Sequence, residues 1–141
     1  MRTLRVTRDT AKDTHNETGL EQEINRDVSA FRGITFSAWV KVNHASLDGG
    51  GYVGSEYPMM FRVHYVAENG GNSIWAHGFY VKNTANRPAD LGEEIPANEW
   101  HRFTLDMNTL KERPAFISKI EVLASGHDFD AQVANVQLAV E

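Results

Sequence analysis

Apolar and polar side chains alternate along most of this chain with a period of two, the pattern of strands that bury one face. The clearest case is residues 33–42, GITFSAWVKV. Ile34, Phe36, Ala38, Val40 and Val42 share one face, and Thr35, Ser37, Trp39 and Lys41 share the other. Residues 3–7 set Leu4 and Val6 against Arg5 and Thr7, and residues 19–25 set Leu20, Gln22 and Ile24 against Glu21 and Glu23. Residues 99–107 align Phe103, Leu105 and Met107, and residues 115–124 align Phe116, Ile120 and Val122 against Lys119 and Glu121. Residues 131–140 close the chain, with Ala134, Val136, Leu138 and Val140 predicted inward and Val133, Asn135 and Gln137 outward. Residues 27–31 read as a short helical turn, and 44–57 and 83–98 as long loops, the first carrying Gly49-Gly50-Gly51.

Residues 61–80, FRVHYVAENGGNSIWAHGFY, read as a β-hairpin around a glycine-bearing turn. Its first run puts Phe61, Val63 and Tyr65 on one face and Met60, Arg62 and His64 on the other. Its second run splits Trp75, His77 and Phe79 from Ile74, Ala76, Gly78 and Tyr80. Two registers stay open. One sets His64 opposite Trp75, Arg62 opposite His77 and Met60 opposite Phe79, on a single outward face. A slip by one residue sends Trp75 and Phe79 inward with Phe61 and Tyr65.

Short alternating strands, glycine-rich turns and no helix longer than two turns predict an all-β, antiparallel, two-sheet β-sandwich. Two long crossing loops favour a jelly roll of about eight strands over an up-and-down barrel. The 141 residues, 41% of them hydrophobic, suffice for one domain spanning 1–141. A net charge of −5 with 14 scattered Lys and Arg argues against nucleic acid, which demands a concentrated basic patch. The chain has no cysteine, so disulfides and thiolate metal sites are excluded. No apolar run approaches the ~20 residues that span a bilayer, so membrane insertion is not expected. Strand-like segments at both ends suit a module excised from a longer protein of the cell envelope or extracellular space.

The segment FISKIEVLASGHDFDAQVANVQLAV resembles the closing strands of galactose-binding-like jelly rolls, a superfamily that includes many carbohydrate-binding modules. EWHRFTLDM resembles an earlier strand of the same modules, and together the likeness covers roughly residues 100–140. GGGYVGSEYP and WAHGFY resemble modules of bacterial envelope proteins carrying FecR-type domains. The galactose-binding likeness implies a two-sheet jelly roll, non-catalytic glycan binding and often one structural calcium. Many such modules carry Asp in the last strand where this chain has Asn135, whose amide oxygen has no charge.

The residues themselves point the same way. Flat aromatic rings cover the C–H face of a sugar at little entropic cost. Trp39, Tyr52, Tyr57, Trp75 and Phe79 are candidates for that role, although the same rings can also fill a core. Arg62, His64 and His77 are placed to bond hydroxyls, and Glu56 stands with Tyr52 and Tyr57 in the glycine-rich loop. For calcium the oxygen donors are Asp128, Asp130 and Asn135, or else the acidic loop of Asp9, Asp13 and Glu17. No zinc spacing or phosphate loop is present. A glycosidase needs two carboxylates about 5–10 Å apart across a groove, and no pair among Glu56, Glu93, Glu94, Asp106 and Glu121 declares itself. The expected function is a non-catalytic module for a poly- or oligosaccharide. The alternatives are a structural or protein-interaction module joined to other domains of a parent protein, and a small jelly-roll enzyme acting on glycans.

Overall fold

The computed structural model describes residues 2–9, 14–50 and 56–141. Its strands are β1 (Thr3–Arg8), β2 (Asn16–Asp27), β3 (Ile34–Ala45), β4 (Tyr57–Ala67), β5 (Asn72–Tyr80), β6 (Gly92–Glu94), β7 (His101–Asp106), β8 (Pro114–Gly126) and β9 (Phe129–Val140). One 3-10 turn, Met107–Thr109, follows β7. The strands form a four-stranded sheet in the order β1-β9-β3-β7 and a five-stranded sheet in the order β2-β8-β4-β5-β6. Every pairing is antiparallel except β5 with β6. This is the expected two-sheet β-sandwich of jelly-roll type. No described helix is long and apolar enough to cross a membrane.

The two inner faces meet where the alternation predicts. Ile34, Phe36, Ala38, Val40 and Val42 of β3 are buried against Met59, Phe61, Val63 and Tyr65 of β4. An edge-to-face aromatic contact ties the layers together, Phe36 and Phe61 lying 5.1 Å apart between centroids, and Phe61 meets Phe79 of its own sheet in the same way at 5.7 Å.

Four local features differ from the sequence expectation or decide what it leaves open. Residues 27–31 form no helix, because the Asp27 carboxylate accepts from both the backbone and the hydroxyl of Ser29 while Val28 plugs into the core. Such side-chain bonds compete with helical ones. β6 lies inside the long loop expected at 83–98; three residues reading Gly-Glu-Glu give no alternation to detect. The β4–β5 hairpin takes the slipped register, with Val63 opposite Trp75, Phe61 opposite His77 and Met59 opposite Phe79. Its turn uses Gly70 at φ 88°, a conformation open to glycine, and the Asn69 side chain accepts from the Gly71 N–H.

The fourth is a bulge in β9. Ser37 pairs with Gln137 but Trp39 pairs with Ala134, so β9 carries an extra residue there, and Asn135 adopts φ 51°. The extra residue inverts the facing. Val133 points inward and Ala134 lies beside Trp39 on the outer face, opposite to the expected arrangement, while Leu138 and Val140 point inward as expected.

Each layer ends in edge strands, and the two lateral edges of the sandwich differ. Between β5, β6 and β7 an aromatic stack fills the gap. Between β1 and β2 the gap stays open.

Candidate functional site

The hairpin register decides where the candidate residues go. Trp75, His77 and Phe79 lie on the inner face, not on an outward recognition face with Arg62 and His64. Phe79 is fully buried. Trp75 and His77 stack in near-parallel planes with Phe103 of β7, at 5.8 and 4.8 Å between centroids. His77 Nε2 is 3.1 Å from Glu93 Oε1, and His101 Nε2 reaches the same oxygen at 3.8 Å. This surface-adjacent cluster closes the β5–β6–β7 edge.

Arg62 and His64 do lie on the outer face of the five-stranded sheet, within a charged ladder. The Arg62 guanidinium holds Glu17 at 3.0 Å and Glu121 at 3.5 Å, His64 bonds Glu121, and Lys119 holds Glu21 at 3.0 Å. Their hydrogen-bonding capacity is directed to carboxylates of their own sheet. Tyr57 is fully buried against Met60, Leu123 and Tyr80 instead of walling a loop. Burial pushes the pKa of its hydroxyl up, an effect that the Leu91 backbone partly offsets. Glu56 is buried as well. Its carboxylate accepts from the His127 backbone at 3.2 Å and meets His127 Nδ1 at 2.6 Å, pinning the β8–β9 turn. Tyr52 lies outside the described residues.

The calcium candidates are not gathered. Asp130 is clasped by Arg5 through two bonds of 2.9 and 2.6 Å. Asn135 stands five residues further along β9, roughly 16 Å at the rise of a strand. Among the described residues no group of three His, Cys, Asp or Glu side chains is arranged to hold a metal ion. Asp13, from the other acidic set, lies outside the described residues.

Trp39 is on the outer face of the four-stranded sheet, as its strand predicts, and its neighbours form the strongest constellation there. Trp39 is paired directly with Arg102 of β7, whose guanidinium carbon lies 5.9 Å from the indole centroid. Two residues further, where Trp100 leads into β7, Lys41 Nζ lies 5.9 Å from the centroid of its indole. Each indole thus meets the cation of the opposite strand. The cause is legible in WVK (39–41) and WHR (100–102): two Trp-x-basic triplets running antiparallel put tryptophan against cation twice. As diagonal neighbours, the two residues have backbone positions roughly 7–8 Å apart.

Beyond Lys41 the face becomes polar. Asn43 follows Trp39 and Lys41 on the outer face, where its amide reaches Asp130 Oδ1 at 3.3 Å and Gln132 Oε1 at 3.4 Å, and a second bulge, between Val42 and His44, adds His44 to the same face. Arg5 and Asp130 continue this row into a hollow of about 590 Å³ lined also by His44 and Asp128. The face therefore combines two indoles, three cations and a row of planar amide, carboxylate and guanidinium groups. Trp100, Arg102, Asn43 and Gln132 were not among the expected site residues.

Two ion pairs next to these faces predict acid sensitivity. Hydrogen bonding to Arg5 holds the Asp130 carboxyl below its ordinary range, and bonding to Arg62 does the same for Glu17. A carboxylate with a depressed folded-state pKa contributes stability above its unfolded pKa of about 4 and loses it as pH falls through the folded value. Chemical denaturation is expected to show falling stability below about pH 4. Asp130→Asn is expected to flatten that fall, and an unchanged profile would remove this pair from the cause. The effect is modest because Arg5 is largely exposed.

No known protein-family model matches the chain, and no curated protein matches it in sequence. What stands is the class of fold, an all-β two-sheet sandwich consistent with a jelly roll. The likeness to galactose-binding-like modules has no support from sequence comparison.

Proposed function

We propose that this chain is a non-catalytic carbohydrate-binding module whose glycan lies along the outer face of the four-stranded sheet. The observation that carries this is the reciprocal Trp39–Arg102 and Trp100–Lys41 arrangement beside the Asn43–Gln132–Asp130–Arg5 row. A pyranose offers an apolar face and a rim of hydroxyls. The indoles take the face, and the amides, carboxylate and cations take the rim. Two diagonal rings span neighbouring sugars of one chain, and the hollow around Asp130 receives a terminal residue. Arg62, His64, Trp75, His77 and Phe79 have no part in this site. A module of this kind works where polysaccharide is met, at the envelope or outside the cell, joined to other domains of a parent protein. Affinity is modest, because an open face leaves a ligand largely hydrated and orders few of its groups.

Affinity electrophoresis against a panel of neutral and acidic polysaccharides tests this. At least one polysaccharide is expected to retard the wild-type protein. Gln132→Ala is expected to weaken that retardation by about two- to tenfold, the worth of one hydrogen bond. A panel without any retardation, or equal retardation of Gln132→Ala and Trp100→Ala with the wild type, would overturn the proposal.

A further inference from the structure

The open lateral edge of the sandwich has a chemistry unlike that of any sugar site. β1 and β2 are edge strands of opposite sheets, and no β-pairing closes the gap between them. The gap is a groove of about 640 Å³, a size typical of small-molecule sites. Its walls are inner-face side chains, among them Leu4, Leu20, Ile24, Val122, Val133 and Leu138. Leu20 shows why the groove is unfilled space and not core. It pairs with Val122, which pairs with the fully buried Phe61, so its register is that of the interior. Yet Leu20 is 63% exposed. Val136, on the opposite wall, is 36% exposed. An apolar residue facing inward without cover is the unusual case, whereas an isolated surface leucine is not.

The rim is equally specific. Arg2 and Arg26 border the groove. Neither has a carboxylate partner among the described residues, and Arg26 rests on the Phe31 ring at 5.1 Å. The bordering carboxylate, Glu21, is bonded by Lys119 at 3.0 Å. In a chain of net charge −5 this rim carries uncompensated positive charge.

From this we infer a second binding site, for a single-chain anionic amphiphile such as a medium- or long-chain carboxylate. The alkyl chain lies between the layers against Leu20, Val122 and Val133, and the anionic head meets Arg26 or Arg2. A glycan is disfavoured because the lining is mostly apolar, and Thr3, Gln22 and Asn135 cannot serve all the hydroxyls that would lose water there. A methylene chain carries no such groups.

Isothermal titration of the wild-type protein with dodecanoate, below its micelle concentration, tests the assignment. Saturable 1:1 binding is expected. Dodecyltrimethylammonium, with the same chain and the opposite charge, is expected to bind at least tenfold more weakly. Leu20→Glu, at a position exposed enough to leave folding intact by circular dichroism, is expected to abolish binding, and Arg26→Gln to weaken it several-fold. The charge comparison on the wild type needs no variant, so a misfolded Leu20→Glu does not spare the proposal. No heat with dodecanoate, equal binding of the cationic amphiphile, or a concentration-dependent dimer dispersed by Leu20→Glu without any dodecanoate binding would each overturn it. The glycan site lies on another face, so polysaccharide retardation should survive Leu20→Glu, and the two proposals fail separately.

Discussion

Phe61→Ala is expected to lower the unfolding free energy by about 3–5 kcal/mol, the range for removing a buried aromatic ring. Phe61 is fully buried on β4, between Val122 of β8 and His77 of β5. It touches three further rings: Phe36 of the opposite layer, Phe79 of its own sheet and Phe103 of β7. The ring is thus the point at which the two layers and the stack at one edge meet. Collapse into the vacated volume is hard, because β4 is flanked on both sides and β3 is packed from across. A domain of this size holds about 5–15 kcal/mol in all, so the loss threatens the fold. The melting temperature should drop by about 10–15 °C. Phe61→Leu keeps much of the volume and should recover more than half of the loss. A fall below about 1 kcal/mol for Phe61→Ala would show that the ring does not join the layers.

The layers and their core were legible because strand burial leaves a direct trace in sequence. β3 alternates without interruption from Ile34 to Val42, and every residue assigned inward there is buried. What failed was phase. The hairpin 61–80 supports two registers, since both faces of each run hold large side chains. The turn geometry at Asn69 and Gly70, which fixes the register, does not show in the alternation. In β9 the bulge at Asn135 shifts every residue before it to the opposite face from the one a continuous strand would give. Period-two patterns cannot report where a period is broken.

The site was legible only in part, for the same reason. Trp39 was assigned outward correctly because its own strand has an unambiguous apolar face. Trp100 carried the same signal, since WHR repeats the Trp-x-basic form of WVK. Recognising the match requires knowing that β3 and β7 are neighbours, and 58 residues separate the two triplets. Asn43 and Gln132 meet because β3 and β9 are neighbours with Lys41 opposite Gln132, a pairing of segments about 90 residues apart that the alternation does not report. Glu56 and Tyr57 stand beside a glycine-rich loop in sequence, but the chain has already entered the interior at that point.

The two tryptophans once grouped by their sequence setting are expected to separate cleanly when each is removed. Trp75 stacks on Phe103 and His77 and reaches Phe36 at 5.6 Å, so Trp75→Ala should cost about 3 kcal/mol of stability. It should leave glycan affinity unchanged at temperatures where the variant is folded. Trp39 touches no ring of the core, and its cation contact is worth about 0.5–1 kcal/mol. Trp39→Ala should therefore change stability by no more than about 1 kcal/mol. Its effect on binding is larger. A sugar covering roughly 60–80 Å² of indole gains about 1.5–2 kcal/mol at 25 cal/mol per Å², so affinity should fall roughly 10–30-fold. Denaturation curves and titration with the same retained polysaccharide measure both quantities on both variants. If Trp75→Ala loses affinity while Trp39→Ala keeps it, the ligand enters at the β5–β7 edge and the outer face of the four-stranded sheet is not the site.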